Sequence, residues 1–174
     1  MKPILIVISP KNFRDEELFE TKDEIEKAGY KTIIASTIKG TCYGSKGGYA
    51  TSEITLENVE TKNYDGVVYI GGEGSRLFFE NETALRIVKE MNSQEKIVGA
   101  ICIAPVIIAK AGILKNKKVT VFNSEIDTIK KLGAIYTGTN VCSDEYIVTG
   151  NGPAVSRQFA KAIAEQLSTY ELTK

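Results

Sequence analysis

The chain has 174 residues, with 22 basic and 22 acidic side chains and no formal net charge. That length predicts one domain, residues 1–174, with a sizeable core, and the charge balance provides no overall field for nucleic acid or an anionic membrane. No histidine occurs, which excludes Ser-His-Asp and Cys-His relays and argues against a catalytic zinc or iron site.

In chain order, Ile4-Leu5-Ile6-Val7-Ile8 is too short for a membrane span and lacks a signal-peptide cleavage pattern, so Ile4–Ser9 reads as a strand. Pro10-Lys11-Asn12-Phe13 leads into a helix with Asp15 as N-cap or first-turn acid. Leu18, Ile25 and Ala28 form its apolar stripe, and Gly29 stops it. A strand over Lys31–Ser36 follows at once, a β-α-β spacing that predicts a parallel pair and a right-handed crossover. Thr37–Ser52 is Gly- and Ser-rich and reads as a loop or loose hairpin.

The short segment Glu57–Glu60 precedes a strand over Gly66–Ile70, which Gly71-Gly72-Glu73-Gly74 ends. A helix is expected over about Glu82–Met91, then a buried strand Ile97–Ile101 and a helix over about Ala104–Ala111. Strand Val119–Phe122, a helix near Glu125–Leu132 and strand Ala134–Tyr136 continue the alternation. Val141–Ser143 and Tyr146–Thr149 flank a hairpin turn at Asp144-Glu145, and a last helix covers about Ala154–Leu167. Alternating strands and helices predict a three-layer α/β/α sandwich around a mostly parallel sheet. Three cysteines, an odd number with no export signal, point to reduced thiols and a cytoplasmic protein. Cys42 and Cys142 lie far apart in sequence with no metal-ligand spacing, and no cofactor is expected.

Where the strand Ile97–Ile101 gives way to a helix, Cys102 falls on a sharp turn, with Ala100 and Ala104 supplying the small flanks a nucleophile elbow needs. N–H groups at the helix start should favour thiolate over thiol. A buried structural cysteine is the competing reading. Ligands of open parallel sheets bind beyond the carboxyl ends of the strands, where Asp15-Glu16-Glu17, Gly71-Gly72 and Cys102 all fall. The glycines either bring N–H groups to a reacting oxygen, with the N–H of Ile103 as a second donor, or merely form a tight turn. A dinucleotide fingerprint is ruled out, because Leu77 stands where its third glycine belongs. The residues themselves do not choose among the three acids.

Phe13-Arg14-Asp15-Glu16-Glu17-Leu18, Gly71-Gly72, Ala100-Ile101-Cys102 and Gly150-Asn151-Gly152-Pro153 resemble the DJ-1/PfpI superfamily (DJ-1/ThiJ/PfpI, class I glutamine amidotransferase-like), in order and spacing, over Ile4–Leu167. The resemblance implies a flavodoxin-like sandwich and a homodimer or higher homo-oligomer. It puts the nucleophile on Cys102, the family's glutamate on Glu17 and a turn beside the cysteine pocket on Gly152-Pro153. Where PfpI-type peptidases carry a histidine this chain has Ile103, and where the DJ-1 branch carries one it has Phe122.

A Cys–Glu pair remains. Thiolate beside carboxylate is unfavourable, so Glu17 is expected to be protonated and to donate to the sulfur. The resemblance implies a glyoxalase- or deglycase-like enzyme in stress protection, with Cys102 adding to a small carbonyl electrophile and Glu17 moving the proton. Two alternatives stand beside it: a redox sensor or chaperone using an oxidisable Cys102, and a PfpI-type cysteine peptidase, for which the histidine is missing. The expected partner is a small-molecule carbonyl substrate or oxidant, with neither nucleic acid nor membrane.

Overall fold

A computed structural model describes residues 1–174. The first half comprises β1 (Ile4–Val7), β2 (Lys11–Phe13), α1 (Asp15–Lys27), β3 (Thr32–Ser36), β4 (Gly40–Gly44), β5 (Tyr49–Ser52), β6 (Ile54–Thr55) and β7 (Gly66–Tyr69). The rest comprises α2 (Glu82–Ser93), β8 (Ile97–Ile101), α3 (Pro105–Lys110), β9 (Lys118–Val119), α4 (Ile126–Lys131), β10 (Ile135–Tyr136), β11 (Val141–Asp144), β12 (Ile147–Gly150) and α5 (Ser156–Thr173).

The central sheet has seven strands in the order β11-β12-β8-β7-β1-β3-β6. All neighbours run parallel except the β11–β12 hairpin at one edge. Its middle strands are apolar runs rather than alternating ones, because helices cover both faces. Period-two geometry then sorts each strand's side chains between two cores. Leu5, Val7, Val67, Tyr69 and Val98 face α2, α3 and α4. Ile4, Ile6, Val68, Ile97 and Ile101 face α1 and α5, meeting Leu18, Ile25, Phe159 and Ile163. Each such side chain contributes roughly 1.5–3 kcal/mol on full burial. The result is a flavodoxin-like, three-layer α/β/α sandwich. No helix is long and apolar enough to cross a membrane.

Several elements differ from the expectation. Of the two readings for Thr37–Ser52 the hairpin is realised, as β4–β5, and beyond either reading it joins β2 in a separate three-stranded sheet. Asp15 explains its order: the carboxylate accepts the N–H groups of Lys46 (2.8 Å) and Gly48 (2.6 Å) at the hairpin turn. Of the two roles expected for it, Asp15 is thus the first-turn acid and not the N-cap, which is Arg14, and its carboxylate is buried against the hairpin. The strand expected over Val119–Phe122 shortens to Lys118–Val119 and pairs only with β10, off the main sheet. Its later N–H groups are used elsewhere: Thr120 donates to Thr149 Oγ1 and Phe122 to the Cys102 carbonyl, both over 2.9 Å. The last helix starts after a 3₁₀ turn at Pro153–Val155 and runs on to Thr173.

Candidate active site

Strand order reverses between β1 and β7, the switch point at which doubly wound sheets open a crevice. There the chain turns from β7 into Gly71-Gly72, from β8 into Cys102, and from β1 through β2 into α1. Between Ile101 and Pro105 only three residues reverse the chain, and Pro105 occupies the first turn of α3, where a missing N–H costs nothing. Cys102 has φ of 65°, a left-handed conformation that a side chain rarely adopts. Such a residue carries about 1–3 kcal/mol of strain and persists only where its surroundings impose it. Here Cys102 N–H donates to Gly150 O and the Cys102 carbonyl accepts Phe122 N–H, each over 2.9 Å. Ala100 and Ala104, both fully buried, flank the turn.

Glu17 lies in the first turn of α1 and is wholly buried. Arg14 N–H donates to Gly71 O over 3.0 Å, locking the start of α1 to the end of β7. Gly71 N–H in turn donates to Glu17 Oε1 over 2.9 Å. A Cβ on Gly71 would lie 2.6 Å from the Cys102 Cβ, 2.6 Å from Glu17 Oε1 and 2.7 Å from the Ile101 carbonyl oxygen. Only a residue without a side chain lets carboxyl and thiol approach across it. Glu17 Oε2 is buried with no hydrogen-bond partner, and the Cys102 thiol lies close enough to the carboxyl to lower its pKa. The backbone N–H groups of Gly72 and Ile103 lie close enough to the sulfur to lower its pKa. Of the donors expected for an oxyanion, Gly72 and Ile103 thus remain, whereas the Gly71 N–H is committed to Glu17.

Burial dominates the electrostatics. It raises the Glu17 carboxyl to about 7, against the thiol and the Gly71 N–H, which lower it. It also pushes the Cys102 thiol up to about 12, reinforced by the negative charge of Glu17 and opposed by the Gly72 and Ile103 N–H groups. The expected fall of the thiol below its ordinary range is therefore corrected: the N–H groups at this elbow do not outweigh desolvation beside an ionised carboxylate. Glu17's charge is one cause of that rise, and it vanishes when Glu17 is protonated. Between pH about 7 and about 12, therefore, the pair holds one proton, on the sulfur, and the carboxyl is ionised.

The thiol opens into a pocket of about 190 Å³ lined by Arg14, Gly72, Glu73, Cys102, Ile103, Phe122, Ser124 and Pro153. Of the expected site residues, Cys102, Glu17, Gly71, Gly72 and Ile103 come together, and Pro153 forms part of the wall. Gly152 is set back, lining the neighbouring cavity, where the Phe122 ring packs over it at 3.5 Å from where a Cβ would be. Glu16, the alternative acid, is half-exposed and paired with Arg14.

Arg14, Glu73 and Ser124 are pocket walls that sequence reasoning does not single out. For Arg14 the available signal was a single cation beside an acidic run. For Glu73 and Ser124 none existed, because only folding brings them to the rim. There Arg76 pairs with both Glu73 (2.7 Å) and Glu125 (2.8 Å). No group of three or more cysteines and acids is placed to hold a metal ion.

Residues 2–166 match the model of the DJ-1/PfpI family. An uncharacterized protein of Methanocaldococcus jannaschii is 41% identical over 167 residues, covering 94% of this chain and 82% of its own. A deglycase of Thermococcus kodakarensis is 29% identical over 163 residues, covering 91% of this chain and 98% of its own. A glutathione-independent glyoxalase of Caenorhabditis elegans is 26% identical over 172 residues, covering 99% and 92%. Among solved structures, a ThiJ/PfpI domain protein from Brachyspira murdochii superposes with a TM-score of 0.94 at 35% identity, over 97% of this chain and 99% of that one.

Proposed function

The chain belongs to the DJ-1/PfpI family, and from that premise we propose that it is a cysteine-dependent enzyme acting on small α-oxoaldehydes, glyoxalase- or deglycase-like. The observation that carries this is a buried carboxyl with one unpartnered oxygen facing an elbow thiol across Gly71. Names of relatives that are a deglycase and a glyoxalase support the same class.

In the reaction, Cys102 Sγ bonds to the aldehyde carbon, Glu17 takes the thiol proton, and the carbonyl π electrons move to oxygen. The N–H groups of Gly72 and Ile103 stabilise that oxygen, and protonation gives a hemithioacetal. Glu17 then carries the former aldehyde C–H proton to the adjacent carbon, while the hemithioacetal hydroxyl proton passes to that carbon's carbonyl oxygen. The first carbon is thereby oxidised to a thioester and the second reduced to an alcohol, with no external oxidant. Water hydrolyses the thioester to a 2-hydroxy acid and frees the thiol. Addition to an aldehyde needs no leaving amine to be protonated, so the missing histidine is no obstacle. Peptide cleavage lacks that acid and is not supported.

A second reading rests on the same donors. A sulfur oxidised to sulfinate would be held by the Gly72 and Ile103 N–H groups and by protonated Glu17, as a redox sensor requires.

Methylglyoxal consumption and lactate formation test the first reading. The purified protein should turn the aldehyde over, and Cys102→Ser should lose at least about a thousandfold of the rate, as removal of a nucleophile does. Equal activity in the serine variant would overturn it.

A further inference from the structure

A second cavity of about 390 Å³ adjoins the thiol pocket, and Phe122 and Pro153 line both. The two hollows differ chemically. Arg14 and Glu73 bring charge to the thiol pocket. No charged side chain lines the larger one, which is walled by the Phe122 and Tyr136 rings, the amides of Asn123 and Asn151, and apolar or backbone surface. Lys130 stacks on the Tyr136 ring at 5.7 Å from its centroid but does not line the cavity. A methylglyoxal-sized molecule fits within the pocket at Cys102 and leaves the larger cavity unused.

The wall also identifies the ligand. No cationic side chain lines the cavity to pair with an anionic tail. A purely apolar tail would make no use of the two amides, whereas hydroxyl groups would. The Asn123 side chain makes no hydrogen bond within the protein, and the Asn151 side chain makes one, from Nδ2 to Asn140 Oδ1 over 3.2 Å. Each primary amide offers two donors and an acceptor of two lone pairs, so both keep capacity for hydroxyl groups. The two aromatic faces suit the C–H edges of a carbon chain between those hydroxyls. Phe122 is fixed next to the nucleophile by its N–H bond to the Cys102 carbonyl and lines both hollows, so a substrate held at sulfur passes this ring to reach the second cavity.

Resting on the α-oxoaldehyde reading, we infer that the second cavity seats the uncharged, polyhydroxylated tail of the substrate. Sugar-derived α-oxoaldehydes are then preferred to methylglyoxal. Tyr136 and Asn151 set this specificity, while the chemistry remains at Cys102 and Glu17.

The test compares kcat/KM for 3-deoxyglucosone and for methylglyoxal. The wild-type ratio is expected to exceed about ten, equivalent to about 1.4 kcal/mol. It should fall at least about fivefold in Tyr136→Ala and in Asn151→Leu, chiefly through a raised KM for the sugar-derived substrate. Both rates come from one preparation, so the ratio does not depend on how much of a variant folds. A wild-type ratio of one or less, or ratios unmoved in both variants, overturns the inference.

If neither aldehyde is consumed, the α-oxoaldehyde reading fails separately, and the cavity is then judged by binding alone. In Cys102→Ser protein titrated with 3-deoxyglucosone, amide NMR shifts at Phe122, Asn123 and Asn151 are expected. Their absence refutes the site.

Discussion

Two cysteines of this chain are buried in unlike surroundings. Cys42, in β4, is fully enclosed, and its sulfur lies 3.8 Å from the Gly40 carbonyl. Burial raises its pKa, softened by the Ser36 hydroxyl and the Ser52 backbone. It lines none of the chain's cavities. Cys102 is 8% exposed, and burial raises its pKa too. What separates them is the company: a carboxyl across Gly71, two backbone N–H groups near the sulfur and an open pocket. Burial by itself yields an inert thiol. What distinguishes Cys102 is the polar groups buried with it, of which Glu17 raises its pKa while the Gly72 and Ile103 N–H groups lower it.

The strongest way to break this contrast is Glu17→Gln. If the carboxyl is the proton carrier, kcat/KM for methylglyoxal should fall by roughly 10²–10⁴, while sulfur ionisation becomes easier because the negative charge beside it is gone. The wild-type rate should rise with pH through about 7, where Glu17 ionises, and the glutamine variant should lack that limb. Unchanged kcat/KM in the variant would leave Cys102 no different from Cys42.

The next effect concerns stability. The folded-state pKa of Glu17 is raised from 4.5 to about 7, so the folded protein holds that proton to higher pH than the unfolded chain does. Its contribution is complete below the ordinary carboxylate range and is lost as pH rises through about 7. At 1.36 kcal/mol per unit the loss is about 3 kcal/mol at most. Urea midpoints between pH 4 and 8 should therefore fall in the wild type relative to Glu17→Gln. Parallel curves would show the carboxyl to be ionised at no cost.

The smallest expected effect is at the other cysteine. Cys42→Ala removes one buried sulfur and should cost about 1 kcal/mol in unfolding free energy, with methylglyoxal turnover retained. Loss of turnover in that variant would merge the two regions into one functional unit.

What could be read without the fold was local. Apolar runs at Ile4–Ile8 and Ile97–Ile101 mark strands buried on both faces, since few other structures bury five such residues in succession. Ala100, Cys102, Ala104 and Pro105 mark the elbow, because its crowding is set by neighbours in the chain itself. The choice of Glu17 over Asp15 and Glu16 needed the family resemblance. Geometry separates the three acids, since Glu17 faces the thiol, Asp15 holds the hairpin turn and Glu16 pairs with Arg14.

Other features depended on residues far apart in sequence. The strand expected at Val119–Phe122 is cut short because Phe122 N–H bonds the Cys102 carbonyl instead of a sheet partner. The direction of the thiol's pKa shift reversed for the same kind of reason. N–H groups at an elbow can be inferred from the order of residues, but desolvation is a sum over every atom the fold packs around the sulfur. Propensity and turn chemistry act over a few residues and are written in the sequence. Burial, charge proximity and the division of one space into two cavities arise only when distant segments meet.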